Sequence, residues 1–144
     1  MANLTLPKPP LESHLSIEKL DEGAIRITIE TERLRISPVC LADVEEYSRF
    51  LFGNSTVMEK FASGKVRTTA FVEEQILNWV KRWESGDPFG AFTIRLRSGE
   101  FVGHIVLGHG DKPGHSEVAY LIRDDFWSNG YGSEAARHER NYYK

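Results

Sequence analysis

The sequence has few of the features that mark secreted, membrane-bound or nucleic-acid-binding proteins. Its single cysteine, Cys40, cannot form an internal disulfide, and the N-terminus lacks the basic and then apolar segments of a secretory signal. No apolar run approaches the roughly 20 residues that a membrane-spanning helix needs. Lys and Arg number 18 against 21 Asp and Glu, so no basic surface for nucleic acid is expected. These absences predict a cytoplasmic protein with neither a membrane nor a nucleic-acid partner.

Length and composition predict one globular domain behind an N-terminal leader. A chain of 144 residues that is 40% hydrophobic and 27% charged can bury one sizeable core and has little room for a second. Residues 1–23 contain three of the six prolines and no sustained periodicity. We therefore expect a leader there, partly extended and partly a short helical turn, outside the core. The domain is expected to occupy residues 24–144.

The spacing of apolar residues predicts the order of the secondary structure, since they alternate in strands and recur every three to four positions in helices. The predicted strands are 24–30, 33–37, 92–97, 101–108 and 116–122. The predicted helices are 41–53, capped by Gly53, and 69–85, on which we assign Trp79 and Trp83 to the core. This order predicts an α/β fold of the α+β type, with a mixed, largely antiparallel sheet flanked by helices.

A stretch with two glycines, DDFWSNGYGSEAA at 124–136, joins the last strand to a predicted helix. Gly130, Gly132 and Ala135 have the spacing of a dinucleotide-binding fingerprint, but only twelve residues follow Gly132, too few for the acidic residue that fingerprint needs about 20 positions on. No Walker A string occurs. Two interpretations stay open: a simple turn, or a helix N-terminus whose uncovered N–H groups bind a diphosphate. In the second, we expect Gly132 to adopt a positive φ angle where the phosphate approaches.

Other polar residues indicate less. Four potential metal ligands are spread over a strand and the following loop: His104, His109, Asp111 and His115. They lack the pair spacing of a zinc site, so no metal is predicted. Cys40 has no histidine tied to it by sequence, and a buried or half-buried structural thiol is the simpler interpretation. Glu117 begins an apolar strand, and whether it faces a ligand cleft or solvent stays open.

Three stretches occur in this order: ETERLRISPVCLADVEEY, FVGHIVL and SEVAYLIRDDFWSNGYGSEAA. Together they resemble the GNAT superfamily of acetyl-CoA-dependent N-acetyltransferases, in its RimJ/RimL-type branch. The last stretch is the most specific. The acetyl-CoA signature of that family is Q/R-x-x-G-x-G/A, with Trp common at the first position in this branch, and Trp127 to Gly132 match it.

The resemblance implies a co-substrate, a mechanism and a set of site residues. Acetyl-CoA would donate its acetyl group to a primary amine by direct attack, without a covalent enzyme intermediate. Glu117 lies where family members often place a general base, and a backbone amide near a bulge in the same strand would stabilise the oxyanion. The strand would pair with pantetheine and the loop would bind the diphosphate, so the implied cofactor-binding residues are Val118, Ala119, Tyr120, Leu121, Ile122, Trp127, Ser128, Asn129, Gly130, Tyr131, Gly132 and Ser133. The acceptor, a protein N-terminus or a small amine, stays open.

The resemblance covers residues 25–136, and the second half of a GNAT domain is not recognisable after it. We therefore expect an incomplete domain in which the strand 117–122 keeps an unpaired edge and the protein forms homo-oligomers. Detectable but weakened acetyl-CoA binding is expected, with turnover slow or absent unless a partner chain completes the site. The alternative is a catalytically inactive, truncated module that binds CoA or drives oligomerisation.

Overall fold

The computed structural model describes residues 14–19, 25–61, 63–86, 90–109 and 116–143, which form a six-stranded sheet with helices packed on it. All strand pairs are antiparallel and follow chain order: β1 His14–Lys19, β2 Ile25–Glu30, β3 Leu34–Pro38, β4 Ala91–Leu96, β5 Phe101–His109 and β6 Ser116–Ile122. The helices are α1 Val44–Tyr47, α2 Ser55–Met58, α3 Thr69–Glu84 and α4 Tyr131–Tyr143. The predicted α+β fold with a largely antiparallel sheet is confirmed.

The sheet separates two hydrophobic clusters because successive side chains of a strand point to opposite faces. In β4, Ala91 belongs to the cluster under α1 and α3, whereas Phe92 and Ile94 belong to the cluster that receives Ala135 of α4. Trp83, at the end of α3, reaches Phe92 with ring centroids 4.9 Å apart and is only 5% exposed. The core assignment of Trp83 is confirmed, and α4 covers the face of the sheet away from α1.

The first predicted helix is more irregular than its sequence pattern indicates. A 3-10 turn over Leu41–Asp43 leads into α1, and a π-helical turn over Ser48–Phe52 follows it. Gly53 is the C-cap residue of this helical segment, as predicted, and caps it with φ −94° rather than in the left-handed conformation. Glycine is required there because an added Cβ would lie 2.3 Å from the carbonyl oxygen of Ser48.

Part of the predicted leader belongs to the sheet. β1 pairs with β2 over six residue pairs, from His14 opposite Glu30 to Lys19 opposite Ile25. The remainder of residues 1–23, including the predicted helical turn, lies outside the described residues. The short strand lacked a hydrophobic run of its own, and it forms because the edge of β2 supplies its backbone hydrogen bonds.

The bulge in the sheet lies in β5, one strand away from its expected place. Ile94 pairs with Gly103 and Arg95 with Phe101, which leaves Val102 as the extra residue. β5 and β6 pair without interruption from Gly103 opposite Ile122 to His109 opposite Ser116. The expectation of a bulge in the 118–122 strand is therefore wrong, because every residue of that strand has its own partner on β5.

Candidate functional site

The segment between β6 and α4 encloses a pocket of about 190 Å³ at the N-terminus of α4. The pocket is lined by the end of β6, the loop and the first turn of the helix: Tyr120, Ile122, Phe126, Trp127, Ser128, Gly130, Tyr131, Gly132 and Ser133. All but Phe126 belong to the set implied by the family resemblance. Phe126 packs edge-on against Tyr131, with ring centroids 5.9 Å apart, and only its place beside Trp127 in the sequence could have suggested it.

The first turn of α4 presents free hydrogen-bond donors to this pocket. The N–H of Glu134 donates to the carbonyl of Gly130 at 3.0 Å, which makes Gly130 the residue before the helix. Within the described part of the chain, the N–H groups of Tyr131, Gly132 and Ser133 have no acceptor. Such groups, together with the helix dipole, favour an anion.

The loop before α4 contains two residues in the left-handed backbone region. Ser128 has φ 70° and Gly130 has φ 78°. Glycine adopts this conformation freely, whereas for Ser128 it costs about 1 kcal/mol. Gly132 is helical and has no positive φ, so the expectation for that residue is wrong. An added Cβ at Gly132 would lie 2.3 Å from the ring carbon Cε2 of Tyr120, so the Tyr120 ring would have to move to admit any other residue.

The backbone N–H and C=O groups of successive β6 residues point alternately toward β5 and toward the open edge of the sheet. Arg123 N donates to Val102 O at 3.0 Å, and Leu121 and Ala119, two and four positions earlier, face β5 in the same way. The N–H and C=O groups of Val118, Tyr120 and Ile122 therefore point to the open edge. Among the described residues no further strand pairs with that edge.

The side chains of the implied strand residues divide between the core and the surface. Leu121 is 8% exposed and packs in the cluster under α1 and α3, while Val118 packs partly against the cluster under α4. Ala119 and Tyr120 are exposed, and only Tyr120 and Ile122 of the five line the pocket. For Glu117 the structure describes the backbone, which lies opposite Gly108 in β5.

Trp127 and Asn129 shape the loop by bonding to its backbone. The indole Nε1 of Trp127 donates to the carbonyl of Ile122 at 2.7 Å, which satisfies the last open-edge acceptor of β6 and leaves the ring half exposed over the pocket. The side-chain amide of Asn129 donates to Phe126 O at 2.9 Å and to Trp127 O at 3.3 Å. Asn129 therefore holds the loop and does not line the pocket.

Arg33, in the turn between β2 and β3, holds the other side of the loop. Its Nη1 donates to Asn129 O at 2.8 Å and its Nε to Glu134 Oε1 at 2.7 Å, while the guanidinium lies 4.6 Å from the centre of the Tyr131 ring. Glu134 also accepts from the backbone N–H of Arg33 at 3.2 Å and from the hydroxyl of Thr31. Burial alone would raise the pKa of Glu134, but these hydrogen bonds outweigh it and the pKa lies below its ordinary value.

The start of the loop is anchored to the helical side of the domain. Asn54, which caps α2, donates from its side-chain amide to Asp124 Oδ1 at 2.8 Å. Arg123 pairs with Asp125 at 2.6 Å, and its guanidinium carbon lies 3.7 Å from the centre of the Phe50 ring. The hydrogen bond from Arg123 is the main cause that lowers the pKa of Asp125.

The other candidates from the sequence lie away from this pocket. His104 is 3% exposed, shares a hydrogen bond of 3.0 Å with the Tyr47 hydroxyl, and lies 4.9 Å from the ring of Trp79. Cys40 is exposed rather than buried, and the pKa of its thiol is raised, chiefly by desolvation and by the charge of Asp43, which argues against a nucleophile. His115 and Asp111 lie outside the described residues, as does the His109 side chain.

No group of three or more His, Cys, Asp or Glu side chains in the described ranges is arranged to hold a metal ion. In the same residues, no helix is both long and apolar enough to span a membrane.

Comparison with known proteins identifies the family. The sequence profile of the acetyltransferase (GNAT) domain matches residues 33–143, which is most of the chain. This protein belongs to the GNAT acetyltransferase family. The matched range contains β3 to β6, the loop and α4, so the pocket lies within the GNAT domain.

Individual relatives agree with this assignment. The chain is 30% identical over 112 residues to the uncharacterized protein YkkB of Bacillus subtilis (strain 168), an alignment that covers 74% of this chain and 62% of YkkB. The crystal structure of a GNAT-family acetyltransferase from Bacillus anthracis superposes with a TM-score of 0.61 at 28% identity, covering 80% of this chain and 64% of that one. The GNAT domain described here thus spans less than two thirds of the length of both relatives.

A third relative shares the fold at lower identity. The microcin C7 self-immunity acetyltransferase MccE, solved in complex with acetyl-CoA and AMP, superposes with a TM-score of 0.63 at 14% identity, over 78% of this chain and 63% of that one. At this identity the likeness concerns the fold alone.

Proposed function

We propose that this GNAT domain is an N-acetyltransferase of the RimJ/RimL type, acting in the cytoplasm, that uses acetyl-CoA to acetylate a primary amine. The pocket at the start of α4 carries the proposal, because eight of its nine lining residues fall in the set implied by the family resemblance. MccE, a protein with the same fold, has been solved with acetyl-CoA bound.

The residues of the pocket match the chemistry of a diphosphate. The N–H groups of Tyr131, Gly132 and Ser133 have no acceptor among the described residues, and the positive end of the α4 dipole lies at the same place. The loop carries no acidic side chain between Phe126 and Ser133, so nothing of negative charge lines the pocket. A bound phosphate group would accept hydrogen bonds from these donors.

The open edge of β6 matches the extended, amide-containing arm of the same ligand. Val118 and Tyr120 offer N–H and C=O groups there that no other described strand uses, whereas the C=O of Ile122 is already bonded to Trp127. The strand can therefore pair with pantetheine up to the point where the loop begins. Acetyl-CoA supplies an activated thioester, and we assign to Glu117 the removal of the proton from the acceptor amine. The acceptor is a protein N-terminus or a small amine.

A matched pair of variants tests the diphosphate site by calorimetric titration. Ser133→Pro removes an N–H that no helical hydrogen bond uses, whereas Ser133→Ala keeps that N–H and removes only the hydroxyl. We expect Ser133→Pro to weaken acetyl-CoA binding about 10- to 100-fold more than Ser133→Ala does, the value of a hydrogen bond to a charged group. Binding of S-acetylpantetheine, which lacks the diphosphate, is expected to be the same in both. A parent protein that does not bind acetyl-CoA would show that the loop is only a turn.

A thiol-release assay with peptides and small amines separates the enzyme from an inactive binding module. We expect Glu117→Gln to lower kcat by at least about 100-fold, the lower end of the contribution of a general base, while the Kd for acetyl-CoA stays unchanged. Acetyl-CoA binding without release of thiol in the presence of any amine would favour the catalytically inactive CoA-binding module instead.

We further propose that the open edge of β6 mediates homo-oligomers. β6 is the last strand of the described sheet, and Tyr120 and Trp127 beside it are 46% and 48% exposed. Because acetyl-CoA would use the same edge, we expect sedimentation to show a dimer or larger species that shifts toward monomer when acetyl-CoA is added. A monomer at high micromolar concentration without ligand would contradict this assignment.

A further inference from the structure

We propose that Arg33 is a positioning residue for the anion site: together with Glu134, it holds the loop so that the N–H groups at the start of α4 point into the pocket. This inference rests on the proposed function. It adds Arg33, which lies 101 positions away in the sequence from its partner Glu134. Arg33 does not itself line the pocket.

The contacts of Arg33 join the two ends of the turn that precedes the donors. Nη1 bonds to the carbonyl of Asn129 at 2.8 Å, just before Gly130, and Nε bonds to the carboxylate of Glu134 at 2.7 Å, just after Ser133. The three free N–H groups therefore lie between the two points that one guanidinium ties together. The Tyr131 ring packs against one face of the guanidinium and limits movement of the Arg33 side chain toward that face.

Glu134 in turn is held by the hairpin turn itself. Its carboxylate accepts the backbone N–H of Arg33 and the hydroxyl of Thr31, and Thr31 is fully buried. The Thr31 hydroxyl also accepts the N–H of Leu34 at 3.1 Å, which ties it to the start of β3. Two side chains on the β2–β3 turn, those of Thr31 and Arg33, thus fix the orientation of α4 relative to the sheet at the pocket.

The loop needs such support because its conformation is unfavourable by itself. Ser128 is a left-handed non-glycine residue and Gly130 follows it in the same region, so the free chain would populate other conformations. An arginine suits the task because its planar fork can bond to two acceptors at once while its face lies on an aromatic ring. A lysine at position 33 has a single ammonium and cannot make the same three contacts.

A direct electrostatic role makes the opposite prediction for Glu134. If Arg33 acted only as a positive charge near the anion, neutralising Glu134 would make the site more positive and would tighten acetyl-CoA binding. If the pair positions the loop, the same change loosens the clamp and weakens binding. Glu134→Gln therefore separates the two roles by the sign of its effect.

The experiment is calorimetric titration of acetyl-CoA and of S-acetylpantetheine into the parent, Arg33→Lys, Glu134→Gln and the double variant. We expect each single change to weaken acetyl-CoA binding about tenfold, the loss of one aligned hydrogen bond to a charged group, and the double variant to lose little more than either one because both belong to one clamp. S-acetylpantetheine binding is expected to stay within about twofold of the parent, since that ligand lacks the group the clamp serves. Arg35→Lys is the control: Arg35 lies on the same hairpin and pairs with Glu30 at 3.1 Å, away from the loop.

The outcomes distinguish this inference from the proposed function. Unchanged or tighter acetyl-CoA binding by Glu134→Gln, with a parent that binds, overturns the positioning role and leaves the function standing. Equal weakening of both ligands, together with a lower unfolding temperature of the ligand-free variant, shows a merely structural pair and overturns it as well. A parent that does not bind acetyl-CoA overturns both proposals.

Discussion

Gly103→Ala is expected to lower the free energy of unfolding by about 3 kcal/mol, the cost of forcing a methyl group into a packed interior. A Cβ at Gly103 would lie 2.2 Å from the carbonyl oxygen of Leu121 and 3.0 Å from the Cα of Ile122. These are backbone atoms of the paired strand β6, so no side-chain rotation relieves the contact, and β5 and β6 must separate. The measurement is guanidinium-induced unfolding of the purified variant.

Gly108→Ala provides the control on the same strand. Gly108 lies opposite Glu117 in the same strand pair, but a Cβ there meets none of the described atoms within 4 Å. We expect this variant to be as stable as the parent or up to about 1 kcal/mol more stable, because alanine loses less backbone entropy than glycine in a strand. Equal losses for the two variants would show that glycine in β5 is needed for its conformation and not for the close approach of β6.

Acid is expected to destabilise this GNAT domain by about 2 kcal/mol between pH 7.5 and pH 5.0 through His104 alone. Complete burial lowers the pKa of His104 to about 3 from its ordinary value of 6.5. Between these two values the unfolded chain binds a proton that the native protein does not, so stability falls by about 1.4 kcal/mol per pH unit as the pH drops below 6.5. Above pH 6.5 both states are neutral at this residue and the contribution vanishes.

The surroundings of His104 explain why it stays neutral. Its Nδ1 bonds to the hydroxyl of Tyr47, which lies 3.1 Å from the hydroxyl of Thr93, and Thr93 in turn donates to Asp43 at 2.7 Å. Asp43 is the nearest carboxylate in this chain of contacts, and it is already paired with Arg95 at 2.8 Å. An imidazolium at position 104 would therefore be buried without an anionic partner of its own.

The check is the pH dependence of the unfolding free energy for the parent and for His104→Gln, which cannot titrate. The loss between pH 7.5 and 5.0 is expected to be about 2 kcal/mol smaller in the variant than in the parent. Any loss that comes from Glu134, whose pKa is lowered, is common to the parent and the variant and cancels in the comparison. Identical losses in both proteins would mean that His104 is as accessible to protons in the native state as in the unfolded chain.

Much of the fold follows from local patterns in the sequence. The alternation in 92–97 and 101–108 and the turn at Ser98 and Gly99 predict the β4–β5 hairpin, which the structure places at Ala91–Leu96 and Phe101–His109. The apolar stripe over 69–85 predicts α3 within one residue at its end. Apolar residues repeat every two positions in a strand and every 3.6 positions in a helix. Both repeats involve only residues that are close in sequence, so a single sequence is enough to detect them.

The loop before α4 was also visible in the sequence, through two glycines that precede a helix and follow a strand. The same string had two interpretations, however, because spacing alone does not say whether the N–H groups of the first turn are free or where they point. The family resemblance added the expected ligand, and the structure brought Tyr120 and Ile122 of β6 to the same pocket as the loop. It also showed that Gly132 has no positive φ angle and that the Tyr120 ring occupies the space that a Cβ there would take.

Tertiary structure alone decided the features that depend on distant partners. β1 forms because β2 offers an edge to pair with. The bulge lies at Val102, where the register between β4 and β5 changes. Arg33 contacts Asn129 and Glu134 only once the sheet is formed. None of these contacts can be predicted from the local spacing of apolar residues. The residues that each contact joins are not separated by the regular repeat of a strand or a helix. The sequence by itself determined the strands β2 to β6, the long helix α3 and where the glycine loop lies. Folding determined which side chains hold that loop in place, since hydrogen bonds and close packing depend on distances that only the assembled sheet sets.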